Sequence, residues 1–326
     1  KGSAGGGGGP SVQLSGAGAT FPAPLYMQWF KDYHGAHSNV TIDYQPIGSA
    51  AGIKQFTAGT TDFGASDAAM TDEQMAAVKD GVLLLPMTAG EVVITYNLEG
   101  SPELKLSRAA LAGIFLGTVT KWNDPAIASV NPDAKLPDQT ISVVHRSDGS
   151  GTTFCFTNHL SATSPAWEKG PFKGTSVNWP AGVGGKGNDG VTALIKQTPG
   201  AIGYVEYGYA MTNNLPMAVL ENKAGKYVKA TPEAGATALA SVEFPANLRA
   251  FEPDPAGDES YPIVTFTWML VHPQYSDTGK GNALKDVINY GLTDGQKIST
   301  KLGYIPLPDA VVAKVKAAAD TIKVGS

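Results

Sequence analysis

Cysteine is almost missing from this chain: Cys155 is the one thiol in 326 residues. That excludes an intrachain disulfide and any cysteine-built zinc site. Lying between Phe154 and Phe156, it reads as a small buried hydrophobe. Charge is scarce too, at 16% of residues, against roughly a quarter in typical soluble domains. The formal net charge of −5 argues against nucleic acid or an anionic membrane as the main partner, because both select basic surfaces. At face value it argues against an anionic ligand as well. No apolar run approaches the ~18–20 residues of a spanning helix. A secretory signal is also lacking, which leaves a cytosolic or a mature exported chain.

Several chemistries are missing. The five histidines, His34, His37, His145, His159 and His272, show no metal-ligand spacing, so no metal site is expected. The glycine-rich run Gly182-Val-Gly-Gly-Lys-Gly187 has no Ser or Thr after Lys186, which removes the nucleotide-binding reading and leaves a structural loop. Gly149-Ser150-Gly151 is not a Gly-x-Ser-x-Gly nucleophile elbow. No cofactor is implied.

Glycine and proline are plentiful, with 39 and 22 residues, and predict many turns and close backbone approaches. Residues 1–10 hold six glycines and read as a flexible tail. From Ser11 onward, short apolar runs alternate with helical patterns. Val12–Leu14, Val40–Gln45, Asp62–Ala65, Val82–Met87, Glu91–Asn97, Ile141–His145, Ala201–Val205 and Ile263–His272 read as strands. Helices are predicted over Pro22–Tyr33, Ala50–Ala58, Arg108–Phe115, Gly151–Leu160 and Asp189–Gln197, and Thr71-Asp-Glu-Gln74 is a capping-box signature. Strand–helix alternation predicts α/β layers with mostly parallel sheets, whose ligands bind beyond the C-terminal strand ends.

Four segments share one grammar, in which a strand ends, small polar residues follow, and in three cases a helix begins. They are Gly16-Ala-Gly-Ala-Thr20-Phe21-Pro22, Ile47-Gly-Ser49-Ala-Ala-Gly52, Phe63-Gly-Ala-Ser-Asp67 and His145-Arg146-Ser-Asp148-Gly-Ser150-Gly151-Thr152-Thr153. A helix N-terminus offers unpaired N–H groups and a partial positive charge, and glycine lets an oxyanion come close. Arg146 would add a fixed-charge fork, held by an ion pair to Asp148. Singly, Thr20 or Ser49 reads as a cap, Asp67 as a turn residue and Ser150 as part of a turn; four such segments in one chain point to an oxyanion site.

Ser15–Pro24, Ile47–Ser49, Asp62–Asp67 and Arg146–Thr152, with Lys121-Trp-Asn-Asp124, Gly184–Gly190 and Gly200–Tyr207, resemble the periplasmic phosphate-binding proteins of bacterial ABC phosphate importers. The resemblance spans nearly the whole chain from Ser15 onward. It implies a two-lobed α/β binding-protein fold of type II, each lobe a mostly parallel sheet flanked by helices, with the ligand in the cleft. One lobe would be 11–86 plus 258–326 and the other 87–257, with hinges near Pro86–Glu91 and Glu252–Tyr261. Phosphate would be held by Thr20, Phe21, Ser49, Asp67, Arg146, Ser150, Gly151 and Thr152, with Asp148 supporting Arg146. The partners implied are inorganic phosphate and a membrane permease with its ATPase; the protein would be a periplasmic monomer and not an enzyme.

Within that frame Asp67 carries the selectivity. A buried carboxylate is tolerable beside an anion that brings a proton to donate; phosphate near neutral pH has one and sulfate has none. Different readings are a phosphatase on a related fold, an arsenate binder and a sensory binder. The first is disfavoured because no metal cluster, Ser–His pairing or spare general base accompanies the segments.

Overall fold

The computed structural model describes residues 9–100 and 102–326. Most of the glycine-rich tail, residues 1–8, lies outside the described residues. The main sheet has eight strands, β1 (Val12–Gly18), β2 (Val40–Pro46), β3 (Phe63–Ser66), β4 (Leu83–Tyr96), β5 (Ser142–Arg146), β6 (Val183–Gly185), β7 (Ala201–Glu206) and β8 (Val264–Val271). Their order is β2-β1-β3-β8-β4-β7-β5-β6. β1 pairs in parallel with β2 and β3, and β5 with β6 and β7. Between these two parallel groups lie the antiparallel pairings β3–β8, β8–β4 and β4–β7.

The two short strands expected over Val82–Met87 and Glu91–Asn97 are one 14-residue strand, β4. Proline and the small pair Ala89-Gly90 look like strand breaks in sequence, because proline has no N–H to give the ladder. The sheet absorbs Pro86 with a register shift, in which Trp268 faces Pro86 while Thr267 faces Thr88, leaving Met87 as the extra residue of a bulge. β4 is therefore the shared beam. Up to Glu91 it pairs with β8, and from Val92 onward with β7.

Five helices matter for the site, α1 (Ala23–Ala36), α2 (Ser49–Thr57), α3 (Gly151–Thr163), α4 (Gly187–Gln197) and α5 (Tyr207–Thr212). α1 turns Leu25, Tyr26, Trp29, Phe30 and Tyr33 inward at helical spacing. Tyr26, Phe30, Tyr44 and Phe63 form one aromatic cluster with ring centroids 5.7–6.3 Å apart. On the other side of β4, Phe115, Phe156, Trp179 and Tyr204 form a second. Each large buried side chain contributes roughly 1.5–3 kcal/mol over exposure, so each half of the sheet has its own anchor for the loops at its rim. The Thr71 capping box is formed, though its helix, Asp72–Ala76, is short. Cys155 is buried, and burial raises its thiol pKa. No helix among the described residues is long and apolar enough to cross a membrane.

Candidate functional site

The four segments converge. Thr20 and Phe21 lie in the turn between β1 and α1, Ser49 opens α2 just after β2, and Asp67 follows β3. From the other side come Arg146, the last residue of β5, Ser150, the N-cap of α3, and Gly151 and Thr152 in its first turn. All eight are buried. The two sets touch directly. Arg146 Nη1 donates to Thr20 Oγ1 at 3.3 Å, the Gly151 N–H to Ser49 Oγ at 3.1 Å, and the Ala50 N–H to the Gly149 carbonyl at 3.1 Å.

Two glycines make this approach possible. A Cβ on Gly151 would sit 2.6 Å from both Asp67 Oδ2 and Ser49 Oγ. Gly48 has φ +98, and a Cβ there would meet Asp148 Oδ2 at 2.5 Å. Both positions bring helix N-termini onto the opposite side of the site.

The polar geometry sorts donors from acceptors. Arg146 donates from Nε and Nη2 to the two oxygens of Asp148, each at 2.7 Å. The Gly187 N–H also donates to Asp148 Oδ1, at 3.1 Å. Burial alone would raise the Asp148 pKa, but the Arg146 fork and the Gly187 N–H outweigh it and hold the carboxyl below its ordinary range. The guanidinium is thus oriented edge-on, and of its five N–H groups three are accounted for by Asp148 and Thr20. Ser49 Oγ accepts from the Asp67 N–H at 3.2 Å as well as from Gly151. With two N–H groups aimed at its lone pairs, what this hydroxyl still offers is its proton.

Asp67 is the opposite case. It is 1% exposed, and its Oδ1 accepts a 2.7 Å hydrogen bond from Thr267 on β8. Burial lifts its pKa to about 7; the Thr267 hydroxyl, the Arg146 charge and Ser49 pull the other way and do not compensate. Its second oxygen faces the Gly151 backbone.

Three contributors were missed by sequence reasoning. Thr267 sits in the middle of a strand read as simply apolar, and nothing local marks it. Tyr209 on α5 donates from its hydroxyl to the Thr20 carbonyl. The loop 182–187, read as structural, leads into a fourth helix N-terminus at the site: α4 starts at Gly187, two residues earlier than expected, and its second residue, Asn188, is fully buried against Thr20 and Thr152. The signal was present, since this is the same strand, small residues and helix order as the other segments. His145 points away from Arg146, as alternation along a strand requires, and stacks on Trp179.

Four helix N-termini, one oriented arginine, several hydroxyls and the Asp67 carboxyl are thus buried together at one closed seam. A family model described as the PBP superfamily domain matches residues 4–294. The phosphate-binding protein PstS of Xylella fastidiosa (strain 9a5c) is 42% identical over 312 residues, covering 94% of this chain and 85% of that protein. PstS of Pasteurella multocida is 42% identical over 308 residues, covering 93% and 89%. A solved structure of a high-affinity periplasmic phosphate-binding protein with phosphate bound superposes with a TM-score of 0.79 at 22% identity, covering 94% of this chain and 93% of that one, which shows the fold. The chain belongs to the PstS phosphate-binding protein family within the PBP superfamily.

Proposed function

We propose that this protein binds inorganic phosphate in a cleft that closes around it and delivers it to an ABC-type importer on the extracytoplasmic face of a membrane. The names of its relatives support a binding role in place of a catalytic one, and phosphate as the ligand. The observation that carries the reading is the pairing of many donors with the buried Asp67 carboxyl, whose hydroxyl partner is Thr267 and which has no cation clamped to it among the described residues. Thr20, Ser49, Ser150, Thr152 and the Phe21 N–H surround the anion, Gly151 comes close and turns the Ser49 hydroxyl towards it through its own N–H, Arg146 supplies the charge, and Asp67 meets the ligand's own proton.

The two lobes are 11–86 with 258–326 and 87–257; pairing along β4 changes partner a few residues beyond that boundary, between Glu91 and Val92. Thr20, Ser49 and Asp67 belong to the first lobe; Arg146 and Ser150–Thr152 belong to the second. Only a closed cleft lets both sets touch one ligand, so ligand binding favours closure. β4 and the crossing around 252–261 are the hinges.

Asp67 gives the selectivity. When ionised, it accepts a hydrogen bond from phosphate and meets only lone pairs on sulfate. A buried like-charge contact with no hydrogen bond costs several kcal/mol, roughly a thousandfold or more in affinity. A pKa of about 7 adds a pH dependence. Below neutrality Asp67 takes up a proton and becomes a donor that sulfate can accept, so discrimination shrinks; above neutrality it is full. Calorimetric titration with phosphate, arsenate and sulfate tests the reading: tight phosphate binding with weak sulfate binding is expected, and no heat with phosphate refutes it.

A further inference from the structure

Asn188 is buried on the first turn of α4 and belongs to none of the four segments. Its Oδ1 accepts from the Glu206 N–H at the end of β7, at 2.9 Å. A backbone N–H can only donate, so the amide has no choice of orientation, and Nδ2 must face the other way. There it donates to Thr20 Oγ1 at 2.7 Å and to Thr152 Oγ1 at 3.2 Å. The Asn188 backbone N–H also points at Thr20 Oγ1, at 3.1 Å, and Arg146 Nη1 is the third donor, at 3.3 Å. Three N–H groups on one hydroxyl oxygen exceed its two lone pairs, and its proton must turn elsewhere.

We infer that Asn188 is a positioning residue that turns the hydroxyl protons of Thr20 and Thr152, one from each side of the seam, into donors aimed at the bound oxyanion. This rests on the phosphate reading above and deepens it. Without the amide, Thr152 Oγ1 is free to accept as well as donate, and Thr20 Oγ1 keeps only the Asn188 N–H and Arg146 Nη1, so that when Arg146 Nη1 turns to the anion this hydroxyl too can accept. Each then has to be reoriented when the anion enters, and preorganisation is lost. The same amide ties Thr20 to the end of β7, so it also helps hold the two sides together. Asn188 acts through the hydroxyls and does not itself need to touch the ligand.

A double-mutant cycle separates this role from a merely structural one. Phosphate affinity is measured by calorimetry for the parent, Asn188→Ala, Thr20→Val and the double variant, with thermal unfolding of each ligand-free protein. Asn188→Ala is expected to weaken phosphate binding about 100-fold in the parent, as for loss of aligned donors to a charged ligand. In the Thr20→Val background the same change is expected to cost less than about tenfold, the remainder acting through Thr152. Losses that multiply independently, or an unchanged affinity for Asn188→Ala, overturn the inference while leaving the phosphate reading intact. A parent that does not bind phosphate removes both. If Asn188→Ala does not fold, Asn188→Asp takes its place in the cycle, because it keeps the acceptor for the Glu206 N–H and removes the side-chain donor; the charge it adds weakens binding in both backgrounds, so the part that depends on Thr20 is what counts, and an equal loss in the parent and in Thr20→Val overturns the inference.

Discussion

On the β1–β3 side of the site the charged group is Asp67; on the β5–β6 side it is Arg146 with Asp148. The two aspartates are driven in opposite directions. Asp67 is sealed in, accepts one neutral hydroxyl, and has its pKa raised to about 7. Asp148 keeps some exposure, grips the guanidinium through both oxygens, and has its pKa lowered despite partial burial. One carboxyl is a fixed charge whose work is to hold an arginine still. The other is poised between charged and neutral, and under the proposed reading that poise makes its discrimination between anions depend on pH. Residue type alone does not separate these roles; the number and charge of the partners does.

The largest test of this asymmetry is removal of the arginine. Arg146→Ala is expected to weaken phosphate binding by roughly 2–5 kcal/mol, because the charge is desolvated; calorimetry at low salt reads it, and a negligible loss would mean that backbone dipoles suffice. Asp148→Asn is expected to cost less, about 1–2 kcal/mol, since Arg146 keeps its charge and loses its clamp. A loss as large as that of Arg146→Ala would make Asp148 more than a support.

The third test concerns stability and pH. A carboxyl whose folded pKa is raised binds its proton more firmly in the folded state than in the unfolded chain. Its favourable contribution is complete below the ordinary carboxylate range, near 4, and is lost as pH rises towards the folded value. Burial raises Asp67 in this way, and likewise Glu91 and Glu206, both fully buried, where backbone N–H groups (Thr231 and Gly235 for Glu91, Gly208 and Tyr209 for Glu206) pull the other way and do not compensate. The ligand-free protein is therefore expected to melt several degrees lower at about pH 8 than at about pH 5, by scanning calorimetry. Glu91→Gln, remote from the anion segments in sequence and lying on β4, sharpens the point. It should recover about 1 kcal/mol at the higher pH and leave phosphate affinity unchanged. A melting temperature that rises with pH would show these groups to be relaxed in solution.

Much of the site could be read before the fold. Thr20, Ser49, Arg146 and Ser150–Thr152 announce themselves because helix N-termini need small polar residues and the strand ends need glycine, all within a few residues of sequence. Thr267 and Tyr209 do not, because their partners are 200 and 189 residues away and each looks locally like an ordinary strand or helix residue; Asn188 follows a strand-to-helix segment of the same kind, which reads on its own as a structural loop. The continuity of β4 was hidden for a related reason: Pro86 breaks a strand in isolation, and only the bulge opposite β8 shows how the sheet accommodates it. The net charge of −5 excludes less than it first suggests. An anion held by short-range donors and one arginine does not need a basic surface.

The most direct measurement compares phosphate and sulfate by calorimetry for the parent and Asp67→Asn, at about pH 5.5 and about pH 8.5. The parent should prefer phosphate by roughly a thousandfold or more at the higher pH and by clearly less at the lower. In Asp67→Asn sulfate should bind far better than in the parent at the higher pH, and the preference should keep only the pH dependence that phosphate's own ionisation gives it. Sulfate affinity as low in Asp67→Asn as in the parent would contradict the account.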